Sequence, residues 1–512
     1  MKIRKYVILL VIIPILAVFC QVAAFDFLKY DDTINVSENP LILQPSRNHV
    51  VDFWQAPFLA LYIPVTYTVW SGLGALSLTI FNGRLDPGLF HLFNLALHTL
   101  NCLLVFFIIK KVLILKKISL NQNHLAAAGI FGALIFGLHP VQVETVSWIT
   151  GLKGLLSGFF ILCAIWLFLV YYQAGNKYLL YVLSTCLFVL ASLSMPSAVC
   201  APVMIFFILL WVDFRITPRK IYPLLPWCAV GLAVVLITRS AQPVSQRIDY
   251  PWTIRPLVFL DTVMFYLHKI VWPDILAVDY CRTPAFVKGL SWQNPHLWLW
   301  LPLAGMAWAL RRRPQWLALG CAFLAGILPV SGLLPFGFQA TSTVADRYLY
   351  LSMMVVGLAA AALVINRPKP AVLACCLLLV AMAGIKSFYQ ARHWEDTAAI
   401  MKHTLRYYPC SFTAHLNCGI ALMSRGDFTG AIPCFKAARN LKPDDPLTYY
   451  NLGVAYAGIG DNASYKRQYK KLRAMNTDKA ARLKQAALAF EAFHTADTPD
   501  GHKGGGPAWQ KE

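Results

Sequence analysis

Apolar runs of helical length recur through most of the chain, among them Tyr6 to Ala24, Leu155 to Tyr172 and Leu179 to Leu193. About 18 or more apolar residues are enough to carry a helix across the roughly 30 Å hydrocarbon core of a bilayer. The pattern predicts spans near 6–24, 89–109, 125–138, 155–172, 179–193, 198–212, 224–237, 296–310, 315–331, 348–365 and 371–386, which makes about 11 crossings. FLDTVMFYLHKIVWP differs, because it carries Asp261, His268 and Lys269. Ionisable groups at membrane depth face protein or a water-filled cavity, so this segment reads as a re-entrant or interfacial helix. The expected fold class is all-α: a polytopic helical membrane protein.

After Lys386 the composition turns polar and a period appears. Asn417 recurs as Asn451, Gly419 as Gly453, and Gly426-Asp427 as Gly460-Asp461, each 34 residues on. That is the spacing of tetratricopeptide repeats, whose helix pairs stack into an α-solenoid. Small residues at Gly419, Ala431 and Ala438 permit close helix packing, Leu422 and Phe435 fill the groove between helices, and Pro443 ends the second helix. The second unit places Tyr465 where the first has Ala431, as a degenerate or capping copy would, and the half-unit WEDTAAIMKHTLRYYP precedes both. The expected organisation is a transmembrane domain over 1–386, repeats over 387–494 and a disordered tail over 495–512.

Composition agrees with the membrane reading. Of 512 residues, 58% are hydrophobic and 13% charged, against about a quarter charged in soluble domains. The net charge of +21 would suit nucleic acid if it formed one surface. Instead KIRK at the N-terminus, KK at 110 and 116, PRK at 218, RRR at 311 and RPK at 367 flank apolar runs, as cytoplasmic anchors do. No nucleic-acid partner is expected. The 13 cysteines show no C-x-x-C spacing and most lie within apolar runs, which argues against a metal or redox framework. A basic start, an apolar stretch and QVAA also fit a cleaved signal peptide, but the length of the run favours a retained first helix.

Placing basic loops inside gives the remaining loops a common outer face. It gathers Asp31, Asp32, His139, Glu144, Lys153, Arg239, Arg247, Arg255, Asp346 and Arg347. In an extended segment the adjacent Asp31 and Asp32 point to opposite faces, so the two serve different purposes. Glu144 reads as a second carboxylate or metal ligand, or as a structural partner of Lys153 or Arg347. His139 reads as a structural hydrogen-bonder ahead of a base. Arg347 either binds an anion or pairs with Asp346 or Glu144. His91 and His98, seven apart on one helix face, read as a core pair.

Five blocks resemble one family: YDDTINVSENP at 30–40, FHLFNLALHTLNCLLVFFI at 90–108, HPVQVETVSWITGLKGLLS at 139–157, LPVSGLLPFGFQATSTVADRYLYLS at 328–352, and the terminal repeats. In order and spacing they are similar to the GT-C membrane glycosyltransferases fused to tetratricopeptide repeats, the TMTC-type O-mannosyltransferases and their bacterial relatives. The resemblance implies a sugar donor on a polyprenyl phosphate, a catalytic aspartate in the first outer loop, matched by Asp31 and Asp32, and a second acidic position, matched by Glu144. A carboxylate in hydrogen-bond reach of an acceptor hydroxyl is a suitable general base. Asp31 is the first choice for that role and Asp32 the alternate, which otherwise caps a helix or binds a cation. The leaving phosphate needs cations, for which Arg347 comes first, with Lys153 and Arg239 behind it and His139 and Asp346 in support. A divalent ion, Mg²⁺ or Mn²⁺, would suit an all-oxygen site that includes Asp32 and Glu144, and the sequence leaves the metal open. Two departures stand out. Gly151-Leu152-Lys153-Gly154 keeps only the lysine of the family's E-R-K-D-like run, and Met195 replaces a common lysine.

The expected partners are the lipid-linked donor, membrane lipid and an exported protein or peptide held by the repeats. The expected location is a bacterial inner membrane, with site and repeats on the periplasmic side. The alternatives are a non-catalytic scaffold that recruits envelope proteins through the repeats, or a lipid-linked glycan ligase.

Overall fold

A computed structural model describes residues 5–118, 121–175, 177–242, 250–290, 300–365 and 369–496. Arg247, part of the RPK anchor at 367 and the tail beyond Ala496 lie outside the described residues. Among the described residues the regular structure is helical, with an isolated β-bridge between Phe58 and Leu61. It divides into two compact units: the chain up to Val278 together with Arg282–Glu395, and Asp279–Cys281 together with the chain from Asp396 on.

In the first unit five helices are long and apolar enough to cross a bilayer: Tyr6–Ala24, Pro87–Leu115, Ile149–Ala174, Pro218–Ala241 and Pro370–Arg392. A sixth forms if Gln122–Leu138 and Pro140–Ser147, bent by 53°, count as one span. Four apolar helices are shorter: Tyr178–Ser194, Pro196–Val212, Pro314–Val330 and Ser352–Val364. One helix escaped the hydrophobic windows. Pro64–Ile80 is interrupted by Thr66, Thr68, Ser71, Gly72, Gly74 and Ser77, which dilute its apolar density while Tyr67 and Trp70 are fully buried. The segment over 257–273 falls within one helix, Arg255–Val271. Its buried Asp261 receives both the Nε–H of Arg282, at 3.1 Å, and a second guanidinium N–H. Lys269 pairs with Asp274.

The long helices define two ends. Ile149–Ala174 runs about 39 Å at 1.5 Å per residue. At its far end the Tyr172 carbonyl accepts from Arg219 at 2.6 Å, and Gln173 accepts from Lys111. Lys116 reaches the Trp211 carbonyl and Gln315. The basic groups of the 110, 116 and 218 clusters thus gather at one end, and Thr150 and Lys153 begin the same helix at the other.

In the second unit, helices Thr397–Tyr407, Phe412–Ser424, Phe428–Leu441, Pro446–Gly458, Asn462–Met475 and Thr477–Ala496 follow one another. Asp396, Ser411, Asp427, Asp445 and Asp461 each cap a helix by accepting a main-chain N–H three residues on. Gly426 and Gly460, 34 apart, take φ of +81° and +76°, which only glycine adopts without strain. A Cβ on Gly419 would fall 2.5 Å from the Phe435 ring, and one on Gly453 2.6 Å from Leu483. The repeated glycine therefore receives the next repeat-forming helix in one copy and the terminal helix in the other.

Candidate functional site

The first apolar helix ends in a 3-10 turn, Cys20–Ala24, and the chain leaves it extended at Phe25. Phe25 and Phe27 then pack edge-on against His91 and Phe90, at ring distances of 6.0 and 5.6 Å, which pins the loop to the start of Pro87–Leu115. Asp31 and Asp32 follow in a helical turn that opens into a π-helix, Thr33–Ser37. The expectation of an extended segment is corrected here: adjacent side chains diverge by about 100°. Asn35 donates to the Asp31 carbonyl at 2.8 Å and accepts from Tyr67 at 2.7 Å, a link that holds the turn in place.

The two aspartates still part company. Asp32 is fully buried: Oδ1 accepts from the Thr150 N–H at 2.9 Å and from its hydroxyl, and Oδ2 accepts from the Leu28 N–H at 3.0 Å. Burial pushes its carboxyl up to about 7, against the pull of the Thr150 and Leu28 bonds and with help from the Asp31 charge. Asp32 thus caps the first turn of Ile149–Ala174. Asp31 is 31% exposed, with Lys153 Nζ 4.0 Å from its Oδ2.

Glu144 lies in the short Val143–Ser147 helix, buried. Its Oε2 accepts from the Arg347 main-chain N–H at 2.8 Å and its Oε1 from the Arg347 guanidinium. Of the readings open for Glu144 and Arg347, their mutual pair is the one formed. Asp346, beside Arg347 at the start of a 3-10 turn, is buried. Aromatic rings surround the cations. Arg347 Cζ lies 4.4, 5.0 and 5.5 Å from the ring centres of Phe338, Tyr348 and Trp148. Tyr30 stacks on Trp148 at 5.7 Å, and Lys153 Nζ lies 6.0 Å from the same indole. Asp31, Arg347, Asp32 and Glu144 all act electrostatically on Lys153, which makes one cluster of three carboxylates and two cations.

Other candidates fall outside it or serve structure. Arg239 is exposed in the last turn of Leu225–Ala241. His139 Nε2–H donates to the Ile270 carbonyl at 3.0 Å and Nδ1 accepts from the Val141 N–H at 3.3 Å, so both ring nitrogens are engaged. Arg255 is buried, near the Gly332 and Tyr250 carbonyls. His98 joins Tyr350 and the Gly137 carbonyl, each at 3.0 Å. The carboxylate oxygens of Asp32 and Glu144 each accept from protein donors. Among the described residues no three His, Cys, Asp or Glu side chains gather as ligands.

A narrow cleft leads away from Arg347 between Gly154, Ser157, Gly158, Met195 and Gly326. A Cβ on Gly154 would lie 3.9 Å from Met195 Sδ. Gly154 and Met195, two of the positions where the resemblance leads one to expect charge, therefore face each other across this cleft. Thr150, Asn35 and Tyr67 escaped the reading of the sequence. Thr150 and Asn35 lie inside quoted blocks, but nothing in their spacing announces a carboxylate partner.

The architecture is that of a polytopic helical membrane protein ending in tetratricopeptide repeats. The repeat part matches the family model described as TPR repeat, over residues 419–460. Over 443 residues the chain is 22% identical to Protein O-mannosyl-transferase TMTC3 of Homo sapiens, which covers 77% of this chain and 47% of that protein. The resemblance to TMTC-type proteins with C-terminal repeats is shown by these two matches. The chain spans about half the length of this curated relative. No solved structure matches.

Proposed function

We propose that this chain is an integral-membrane glycosyltransferase that moves a sugar from a polyprenyl-phosphate donor to hydroxyls of an exported protein held by the repeats. The observation that carries the reading is the split between the aspartates. Asp32 is locked into the Thr150 turn, whereas Asp31 stays accessible beside Lys153, which acts electrostatically on it and on Arg347, and Arg347 lines a cleft. Asp31 accepts the proton of the acceptor hydroxyl as its oxygen bonds to the anomeric carbon. The bond from that carbon to the phosphate oxygen breaks, and Lys153 and Arg347 stabilise the negative charge left there. Glu144 aims Arg347 and Asp32 aims the Thr150 turn, so both act as positioning residues. The aromatic wall excludes water and strengthens these charges. The separation of the basic end from the site end supports a site on the outer, periplasmic face of a bacterial inner membrane. Replacing Asp31 by asparagine is expected to remove the glycan from exported proteins in intact-mass spectra, and an unchanged profile refutes the reading.

The uncharged Gly154 and Met195 on the cleft wall favour a second reading, a non-catalytic scaffold that recruits envelope proteins through its repeats. That reading predicts a phenotype for repeat deletion and none for Asp31→Asn.

A further inference from the structure

The cysteines divide by location. Cys20, Cys102, Cys163, Cys186, Cys200, Cys228, Cys321, Cys375 and Cys376 all sit in apolar helices of the first unit. The second unit holds four, Cys281, Cys410, Cys418 and Cys434, and they stand in two pairs. The Cys281 and Cys410 thiols lie close enough to act on each other, and so do those of Cys418 and Cys434.

Independent contacts fix each approach. Around the first pair, Ser411 donates to Asp279 at 2.6 Å and the rings of Tyr280 and Tyr408 meet at 5.2 Å, so 279–281 lies along 408–411. Asp279 also accepts from the Cys281 N–H at 2.8 Å, which holds Cys281 at a φ of +52°, rare for a residue with a side chain. In the second pair, the neighbours Gly419 and Phe435 pack in direct contact, bringing Phe412–Ser424 against Phe428–Leu441 at the level of Cys418 and Cys434. The 34-residue period adds a further mark: the positions equivalent to Cys418 and Cys434 in the next repeat are Leu452 and Gln468, so the cysteines occur together in one copy and are absent together from the other.

We propose that Cys281–Cys410 and Cys418–Cys434 are native disulfide bonds of the repeat unit. The inference rests on the reading that this unit faces the oxidising, outer compartment. Each bond forms by exchange with the disulfide of an exported thiol oxidant. One cysteine thiolate attacks the oxidant's disulfide, its partner resolves the mixed disulfide, and the oxidant leaves as a dithiol carrying the two electrons and two protons. Cys434 suits the first attack, because the neighbouring Cys418 holds its thiol below the ordinary range. The Cys281–Cys410 bond closes a loop of 129 positions (410 − 281), and long loops are those whose closure most restricts the unfolded chain.

The test blocks the full-length chain with N-ethylmaleimide during extraction from its native membrane, digests it without reductant and maps the peptides by mass spectrometry. Two linked peptide pairs, 281 with 410 and 418 with 434, are expected, alongside maleimide adducts on cysteines of the apolar helices. Adducts on the four repeat-unit cysteines, or different pairings, overturn the proposal. Cys281→Ser leaves the exposed Cys410 as a probe of sidedness. If a membrane-impermeant maleimide labels it in intact cells while the wild-type thiols are free, the disulfides fail and the outward orientation stands. If it stays unlabelled while those thiols are free, the orientation fails as well.

Discussion

Asp31–Lys153 and Asp261–Arg282 are both carboxylate–cation pairs of the membrane-spanning unit, and they are built in opposite ways. Asp261 is fully buried, with each oxygen held by a separate guanidinium N–H. Asp31 is 31% exposed and touches Lys153 at a single distance of 4.0 Å. A closed, buried pair cannot release one partner without stranding the other's charge, whereas a loose, accessible pair can exchange its counterion for a substrate group. Residue type alone does not separate them. The sequence offered Asp261 as an ionisable group facing protein or a water-filled cavity, and the structure gives it an arginine partner from 21 positions on.

The sharpest test of this contrast is Asp31→Asn. It should lower the proposed sugar transfer by about 10²–10⁴-fold while leaving the thermal midpoint of the detergent-solubilised protein close to wild type. Loss of fold instead of activity would put Asp31 in the same class as Asp261. Asp261→Ala should behave the other way. Stranding Arg282 is expected to cost about 3–5 kcal/mol, seen as a lowered midpoint and poor recovery of folded protein, and the double change Asp261→Leu with Arg282→Met should restore much of it. A tolerated single change would break the comparison.

Asp32 yields a smaller, pH-dependent effect. Its folded pKa of about 7 exceeds the ordinary 3.8, so between those values the native state holds a proton that the unfolded state has released. Its contribution to stability is complete below about pH 4 and is lost as pH rises through about 7. The difference in thermal midpoint between wild type and Asp32→Asn should therefore drift against wild type from pH 5 to pH 8, and a constant difference refutes the assignment. The smallest effect is expected of His139→Ala, which loses one cap and one carbonyl bond for about 1 kcal/mol and leaves the pH profile of transfer unchanged. A shifted profile would make His139 a base.

Much of the fold was legible. Long apolar runs mark spanning helices because backbone groups in lipid must bond within their own segment. The 34-residue recurrence marks the repeats because each capping aspartate and each φ-positive glycine has to come back in register. Pro64–Ile80 was missed because its serines, threonines and glycines lower the apolar density that a window measures. Of the candidate site residues, Asp31, Asp32, Glu144, Lys153 and Arg347 converge, while Arg239 lies exposed at another helix end. His139 is absorbed by Ile270 and Val141, which no local pattern could foretell, since one partner comes from 131 positions away.

By itself the sequence determined a helical membrane protein, a repeat module and the block of residues from which a site would be drawn, because hydrophobic length and periodicity are local properties. Only the tertiary structure decided how those residues are used. Thr150 claims Asp32 and leaves Asp31 accessible, Glu144 takes Arg347, and four cysteines with no spacing motif come to stand in pairs. Burial and partnership assign those roles, and both depend on contacts between segments far apart in the chain.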